Sequence, residues 1–351
     1  MFFTKKSIMN KKRILIISPF PPQIGGVSIS SERLVENLSY DGYNVDYYRI
    51  KYKKDKFNNH ILLILKFFYI PFYILFHRKF DIIHLHVPST YRKVYISLTK
   101  RLFFKRAKTI FTLHGDVGSL LNSKLALWAL SKADKIICVQ KGDSQRLPAY
   151  LQKKSIDIPA FILPHNIDEK EVPNEVLNFC KLKNKPLIVF YGAVKLSGVF
   201  PDLYGITDVF KLYNNLQEHN CNAKLLLLIS INKKDLSQVT FLQNQIDSIK
   251  NKNDIMIIQS PNFPLIPIFK YTNIYLRPTK TDGDSLAVRE AMAMGCTVIA
   301  SNNAKRPKGV ITYSDDTELL PLVKAYLNDF SKTINIQENY YNKIIDVYDG
   351  I

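Results

Sequence analysis

The stretch that decides the fold is YTNIYLRPTKTDGDSLAVREAMAMGCTVIAS, residues 271–301. It opens on a short apolar run, NIYLRPT, that reads as a strand. A polar loop follows, in which Gly283 allows a tight turn. LAVREAMAM then has helical character, and TVIAS (297–301) reads as another strand. Ser285 stands where a helix N-cap is expected. Asp282 lies in the loop and Glu290 about one turn inside the helix.

The same alternation extends in both directions. RILIIS (13–18) predicts a strand, and residues 27–43 predict a helix, with Leu34, Val35 and Leu38 at helical spacing. NVDYYRI, DIIHLH (81–86), TIFTLHG (109–115) and KIICVQ (135–140) follow as strands between helical stretches, and FILP (161–164) closes the first half as another. The pattern restarts at PLIVFYG (186–192). A helix is expected from about Pro201–Asp202, then the strand AKLLLLIS (223–230), a helix in FLQNQIDSIKN and the strand IMIIQS. Short buried β runs between helices mean parallel strands joined by right-handed crossovers. The expectation is α/β, two doubly wound domains with ligands at the strand C-termini. The polar residues 166–186, with Pro173 and Pro186, are expected as the linker between a domain at 1–165 and one at 187–335.

The 351 residues suit two domains, and 46% hydrophobic content is that of a globular chain. Cys138, Cys180, Cys221 and Cys296 are widely scattered without metal-ligand spacing, and read as reduced thiols of a cytoplasmic protein. The opening basic residues and short apolar run lack the features of a signal peptide. The net charge of +19 is unevenly placed. Residues 1–150 hold 26 Lys and Arg against 9 Asp and Glu, and the remainder hold 23 against 21. A basic first half points to an anionic surface as its partner.

Residues 60–80, HILLILKFFYIPFYILFHRKF, are apolar but interrupted by Lys66 and Pro71, and short of the ~20 residues of a membrane span. Lys51, Lys53, Lys54 and Lys56 precede the run, and Arg78 and Lys79 follow it. A second cluster, YRKVYISLTKRLFFKRAK (91–108), carries Arg101, Lys105 and Arg106. Apolar residues mixed with Lys and Arg suit a helix lying in an anionic lipid interface. A buried helix with a solvated basic rim fits the same pattern. No recognition-helix, RRM or zinc-finger pattern supports nucleic acid.

After the first strand, Gly25 and Gly26 lead into a helix, where backbone N–H groups can approach a phosphate or sugar. The dinucleotide fingerprint G-x-G-x-x-G is absent there, which disfavours a nicotinamide cofactor. Around residues 282–290 the chemistry is more specific. N–H groups at a helix start can hold a phosphate. Asp282 can accept hydrogen bonds from sugar hydroxyls, and Glu290 two from a ribose diol. The spacing matches a nucleotide-sugar.

These residues resemble those of the retaining glycosyltransferases of the GT-B fold, the large family containing sucrose synthase and bacterial capsule and lipopolysaccharide sugar transferases. The family's Glu, Gly-Phe-Gly, Glu-Ala-Met-Ala and Gly-x-Pro-Val-Ile-Ala pattern reads here as Asp282-Gly283-Asp284-Ser285, Glu290-Ala291-Met292-Ala293 and Gly295-Cys296-Thr297-Val298-Ile299-Ala300. GGV (25–27), DIIHLHVP (81–88), TLHGD (112–116), ADKIICVQ (133–140), ILPHNID (162–168) and VFYGAVKLSG (189–198) follow the family's order. The resemblance implies two Rossmann-like domains facing a cleft, with a C-terminal helix (336–351) packing back on the first. It implies that Glu290 binds the ribose, that Asp282 holds donor-sugar hydroxyls, and that Gly283, Asp284, Ser285 and Leu286 meet sugar and phosphate. His114 would sit near the donor sugar, with Gly25 and Gly26 lining the cleft. Transfer with retention, without a metal or other cofactor, is also implied, the leaving phosphate helping to take the acceptor proton.

The sequence departs from the family where an Arg and a Lys neutralise the diphosphate, since those positions align with Ala193 and Ser197. Lys195 is the nearest substitute, with Lys280 and Arg289 as alternatives. The expected protein is a cytoplasmic transferase, peripherally bound to the inner face of the membrane. It moves a sugar from a nucleotide donor to a saccharide acceptor, lipid-linked, in bacterial surface polysaccharide synthesis. A nucleotide-sugar epimerase of the same shape and a non-catalytic sugar- or partner-binding member are the competing readings.

Overall fold

The computed structural model describes residues 11–20, 26–49, 80–86, 89–103, 105–115, 117–182, 184–196, 202–282, 285–327 and 339–351, the side chains of 101–103 excepted. The chain divides into two units, Met1–His165 with Asn339–Ile351, and Asn166–Glu338.

In the first domain the strands are β1 (Arg13–Ser18), β2 (Asn44–Arg49), β3 (Ile82–Leu85), β4 (Lys108–Leu113), β5 (Lys135–Cys138) and β6 (Ser155–Asp157). They pair in the order β2-β1-β3-β4-β5-β6, all parallel. Its longer helices are α1 (Gly26–Tyr40), α2 (Thr90–Phe103) and α3 (Lys124–Ser131). Side chains alternate across each strand, so β1 feeds two cores. Leu15 and Ile17 join Ile96 of α2 and Leu130 of α3 on one face. Ile14 and Ile16 join Leu34 and Leu38 of α1 on the other, with Ile344 and Tyr348 of the C-terminal helix Tyr341–Asp349. The chain order reverses between β1 and β3, so their C-terminal ends, at Ser18 and Leu85, flank this sheet's switch point.

Residues 161–164, expected as a strand, join no ladder; the sixth strand is Ser155–Asp157. Phe161 and Ile162 are buried, but side chains replace the ladder as partners for the segment's backbone. Ser30 Oγ donates to Ala160 O at 2.6 Å. Arg33 Nη1 donates to Ile162 O at 3.2 Å and Asn37 Nδ2 to Leu163 O at 3.0 Å. The Tyr340 N–H donates to Phe161 O at 3.3 Å.

The 166–186 stretch, expected as a linker, is part of the second domain. It contains helix α4 (Asn174–Lys181), whose Val176, Leu177 and Cys180 are buried with Leu187, Val189 and Leu226. Buried Lys224 donates to the carbonyls of Phe179, Cys180 and Leu182, so a cation caps the helix C-terminus. The hydrophobic stripe of α4 outweighs the polar composition of its other face.

The second sheet comprises β7 (Leu187–Ala193), β8 (Lys224–Ser230), β9 (Ile255–Gln259), β10 (Ile274–Arg277), β11 (Thr297–Ser301) and β12 (Ile311–Tyr313). Its order is β12-β11-β10-β7-β8-β9, again all parallel. Read from the β9 edge, it is the doubly wound order 3-2-1-4-5-6. Near-continuous apolar strands such as Lys224–Ser230 require cover on both faces. Helices α5 (Ile206–Glu218), α6 (Leu236–Asp247), α7 (Leu286–Ala293) and α8 (Leu319–Leu327) complete the domain's longer helices. Phe210, Leu216 and Leu242 pack one core, and Val288, Ala291 and Met292 the other. The chain reverses between β7 and β10, which puts the ligand-binding position of such a sheet beside Ala193 and Arg277.

Candidate functional site

The loops leaving β7 and β10 are tied together. The Lys280 N–H donates to Leu203 O at 2.8 Å. Lys280 Nζ pairs with Asp208 of α5 at 3.1 Å. Gly205, with φ +68°, lies against Pro278 so closely that a Cβ would stand 2.9 Å from the proline Cβ. The helix expected from Pro201–Asp202 starts later, at Ile206. Asp202 instead caps it from outside, its carboxylate accepting from the N–H groups of Ile206 and Thr207 at 2.8 Å each. The start of α5 therefore carries its own anion.

The start of α7 is built differently. Ser285 occupies the N-cap position, as its sequence context predicts, but its hydroxyl makes no capping bond. Ahead of it, Asp282 is gripped by two guanidinium groups. Arg277 Nε and Nη2 lie 2.9 and 3.2 Å from its two oxygens. Arg306 Nη1 lies 3.0 Å from Oδ2. The rest of Arg306 is also fixed, by Ser301 O at 3.1 Å and Thr279 Oγ1 at 2.9 Å. Arg277 Nη1 donates to Tyr191 O on β7 at 3.2 Å. The fork geometry of Arg suits this cross-linking of the β7, β10 and β11 ends. Burial by itself would raise the Asp282 carboxyl, but Arg277 and then Arg306 outweigh it and hold the group below the usual carboxylate range. Two guanidinium groups share the Asp282 carboxylate.

Glu290 is 3% exposed, on the buried side of α7. Tyr191 senses both Arg277 and Glu290, and burial, above all, raises its hydroxyl. The end of β7, the end of β10 and the first turns of α7 thus converge at the switch point.

In the first domain, His84, His86 and His114 cluster at the ends of β3 and β4. His84 is a core histidine, its ring nitrogens 2.6 Å from Tyr348 Oη and 2.7 Å from Thr112 Oγ1. His86 Nδ1 lies 2.9 Å from His114 Nε2, and the buried His86 Nε2 has no hydrogen-bond partner among the described residues. A bare lone pair is cheaper to bury than an unmade N–H bond, which favours His86 donating through Nδ1 to His114. Burial, with the Lys93 charge second, lowers His114 to about 4. Burial also brings Lys93 down to about 8.

Asp282, Ser285, Leu286 and Glu290 therefore share the start of α7, all in the second domain. Lys195, the expected diphosphate cation, is exposed at the end of β7. Lys280 is committed to Asp208. Gly26 opens α1, and a Cβ there would meet nothing within 4 Å. Lys105 and Arg106 are exposed, and Arg101 is a helical residue whose side chain is not described. Gly25, Gly283, Asp284, Lys66, Arg78 and Lys79 lie outside the described residues. The sequence reading missed Arg277, Arg306 and Tyr191. Arg277 left one signal, a charge in the apolar run NIYLRPT, whereas Arg306 reaches the site only through the fold. None of the four cysteines is in a disulfide. Among the described residues no group of three or more His, Cys, Asp or Glu could hold a metal ion. Among the same residues no helix is long and apolar enough to cross a membrane.

Residues 24–159 match the sequence model of Glycosyltransferase Family 4. No curated protein matches the chain. Among solved structures, HepE of Anabaena in complex with UDP and glucose is 12% identical with a TM-score of 0.62, over 97% of this chain and 100% of that one. A glycosyltransferase of Rickettsia africae is 15% identical with a TM-score of 0.63, over 96% and 94%. Sucrose-phosphate synthase of Thermosynechococcus elongatus is 15% identical with a TM-score of 0.62, over 96% and 95%. At these identities the structural likeness shows the fold. The two parallel six-stranded sheets and the family match define the class, a glycosyltransferase of GT-B architecture. The family match lies in the first domain, and the likeness of the second is one of fold.

Proposed function

We propose that this chain transfers a sugar, with retention, from a nucleotide-sugar to a saccharide acceptor that is lipid-linked, in bacterial surface polysaccharide synthesis. The observation that carries the donor reading is the buried Glu290 at the β7–β10 switch point, on the helix that follows the Arg277–Asp282–Arg306 cluster. An ionised carboxylate there accepts both hydroxyls of a ribose. The α7 start, uncapped by Ser285, offers N–H groups to phosphate. The guanidinium groups of Arg277 and Arg306 help to offset the diphosphate, the role the sequence leaves unfilled at Ala193 and Ser197. A buried anion without such compensation would be costly.

Asp282 serves this site as the anchor of two arginines and as an acceptor for the donor sugar. Ser285 and Leu286 flank the phosphates, with Lys195 as an outer cation. In the first domain, His114 and Gly26 are the proposed sugar-contacting residues. The proposed transfer uses these protein cations without a metal or other cofactor. Anabaena HepE, solved with UDP and glucose, supports a nucleotide-sugar donor. A cytoplasmic location at the inner membrane face accords with the basic first half and a lipid-linked acceptor.

Calorimetry with UDP, GDP and their sugars tests the reading. At least one nucleotide is expected to bind the intact protein, and Glu290→Ala to abolish that binding while circular dichroism stays unchanged. Undiminished binding by a folded Glu290→Ala protein would overturn it.

A further inference from the structure

Helices α2 and α3 follow β3 and β4 in the first sheet and lie side by side on one of its faces. Ser97 Oγ of α2 donates to Ala129 O of α3 at 3.1 Å, and Ile96 and Leu130 point together into the core. Their outer surfaces therefore look away from the sheet together. That outer surface is apolar where solvent would favour polar residues. Tyr91 is 79% exposed, Leu98 52%, Leu125 44% and Trp128 38%. Lys132 Nζ stands 5.6 Å from the centre of the Trp128 ring.

Basic residues predominate around these side chains. Residues 89–132 contain nine Lys and Arg and a single acidic residue, Asp116, although Lys93 is buried and Lys100 and Lys108 pair with Asp134. Lys105 and Arg106 are exposed just beyond α2, and Lys124 and Lys132 bracket α3. From this geometry we propose that the outer face of α2 and α3 docks on an anionic lipid surface, with Trp128, Leu125, Leu98 and Tyr91 entering the interface. This deepens the membrane-bound reading of the function and adds a helix, α3, that the basic 60–108 stretch does not include. Leucine and tryptophan gain by leaving water for the headgroup and acyl boundary. Lysine and arginine beside them gain from the negative surface potential. A nucleic acid would meet the same lysines but gives the leucines no apolar medium, so lipid fits the whole face.

Trp128 is the chain's single tryptophan, so its emission reports on this face alone. Full-length protein is titrated with phosphatidylcholine vesicles, with and without phosphatidylglycerol. The expected result is a blue shift of Trp128 and protection from acrylamide with anionic vesicles only, reversed by high salt. Lys124→Glu with Lys132→Glu is expected to weaken vesicle affinity by more than about tenfold, and Leu98→Glu with Leu125→Glu to remove the blue shift. Circular dichroism and nucleotide binding show that each variant is folded. Flotation with anionic vesicles that leaves Trp128 emission unchanged would place the contact elsewhere and overturn the proposal, as would absence of binding at low salt. Stronger capture by duplex DNA or heparin than by vesicles would overturn it in favour of a polyanion. Any of these with nucleotide binding intact leaves the donor site standing. Loss of nucleotide binding with the vesicle response intact does the reverse.

Discussion

Arg306 Nη1 lies 3.0 Å from Asp282 Oδ2, although 24 residues separate them along the chain. The contact fastens the loop beyond β11 to the loop beyond β10. Together with Arg277 it makes Asp282 the hub on which the strand ends of the second sheet are joined.

Removing Arg306 is therefore expected to damage fold and site together. Breaking a buried ion pair by deleting one partner costs about 3–5 kcal/mol. Arg306→Ala should lose stability of that order in urea unfolding, and nucleotide affinity with it. Arg306→Lys restores the charge but not the fork that also reaches Ser301 and Thr279. It should recover less than half of the loss. Full recovery by lysine would show that charge alone matters there.

Glu290→Gln keeps the size of the side chain and removes its charge. Hydrogen bonds to a charged acceptor are worth about 1.5–3 kcal/mol each. A ten- to hundredfold weaker nucleotide affinity is expected by calorimetry. The urea midpoint provides the control, since a purely structural glutamate would move stability and leave the affinity of the folded fraction alone.

Gly205 holds φ at +68°, and an added Cβ would overlap the Pro278 carbonyl oxygen as well as crowd its ring. Both the backbone conformation and the contact oppose any larger residue. Gly205→Ala should cost more than about 1 kcal/mol, read as a lowered Tm. It should also weaken nucleotide binding by pushing the β7 and β10 loops apart. A protein of unchanged Tm would show that this contact relaxes easily.

The histidines make the first domain sensitive to acid. His84 is buried, and desolvation first, then the His114 charge, lowers it from 6.5 to about 3. Above pH 6.5 it is neutral in both states and its contribution is complete. As pH falls below 6.5 the unfolded chain takes up a proton that the folded one refuses. Stability should then drop by about 1.4 kcal/mol per pH unit for this residue until the pH nears 3. Urea unfolding at pH 7 and pH 5 should differ by about 2 kcal/mol on its account, and His84→Asn should flatten that part of the slope. An unchanged slope would mean that His84 protonates within the folded protein.

The sequence by itself determined the alternation of apolar strands and amphipathic helices, and hence two parallel doubly wound sheets, because burial on both faces writes long Val, Ile and Leu runs. It also marked the loop and helix that hold Asp282 and Glu290. Where it failed, the signal belonged to packing at a distance. FILP (161–164) has a strand's composition, yet its backbone bonds go to side chains of α1 and to Tyr340. Strands β6 and β12 have only three residues each, too few to show a period. The polar 166–186 stretch hides a helix whose one apolar face finds its partners only in the folded second domain. The arginines followed the same rule. Arg277 and Arg306 grip the site's carboxylate, because only the parallel ordering of β10 and β11 brings residues 277, 282 and 306 within hydrogen-bond reach. Periodicity is local and therefore legible in one dimension; the meeting of charges across a sheet depends on strand order, and that was decided by the tertiary structure alone.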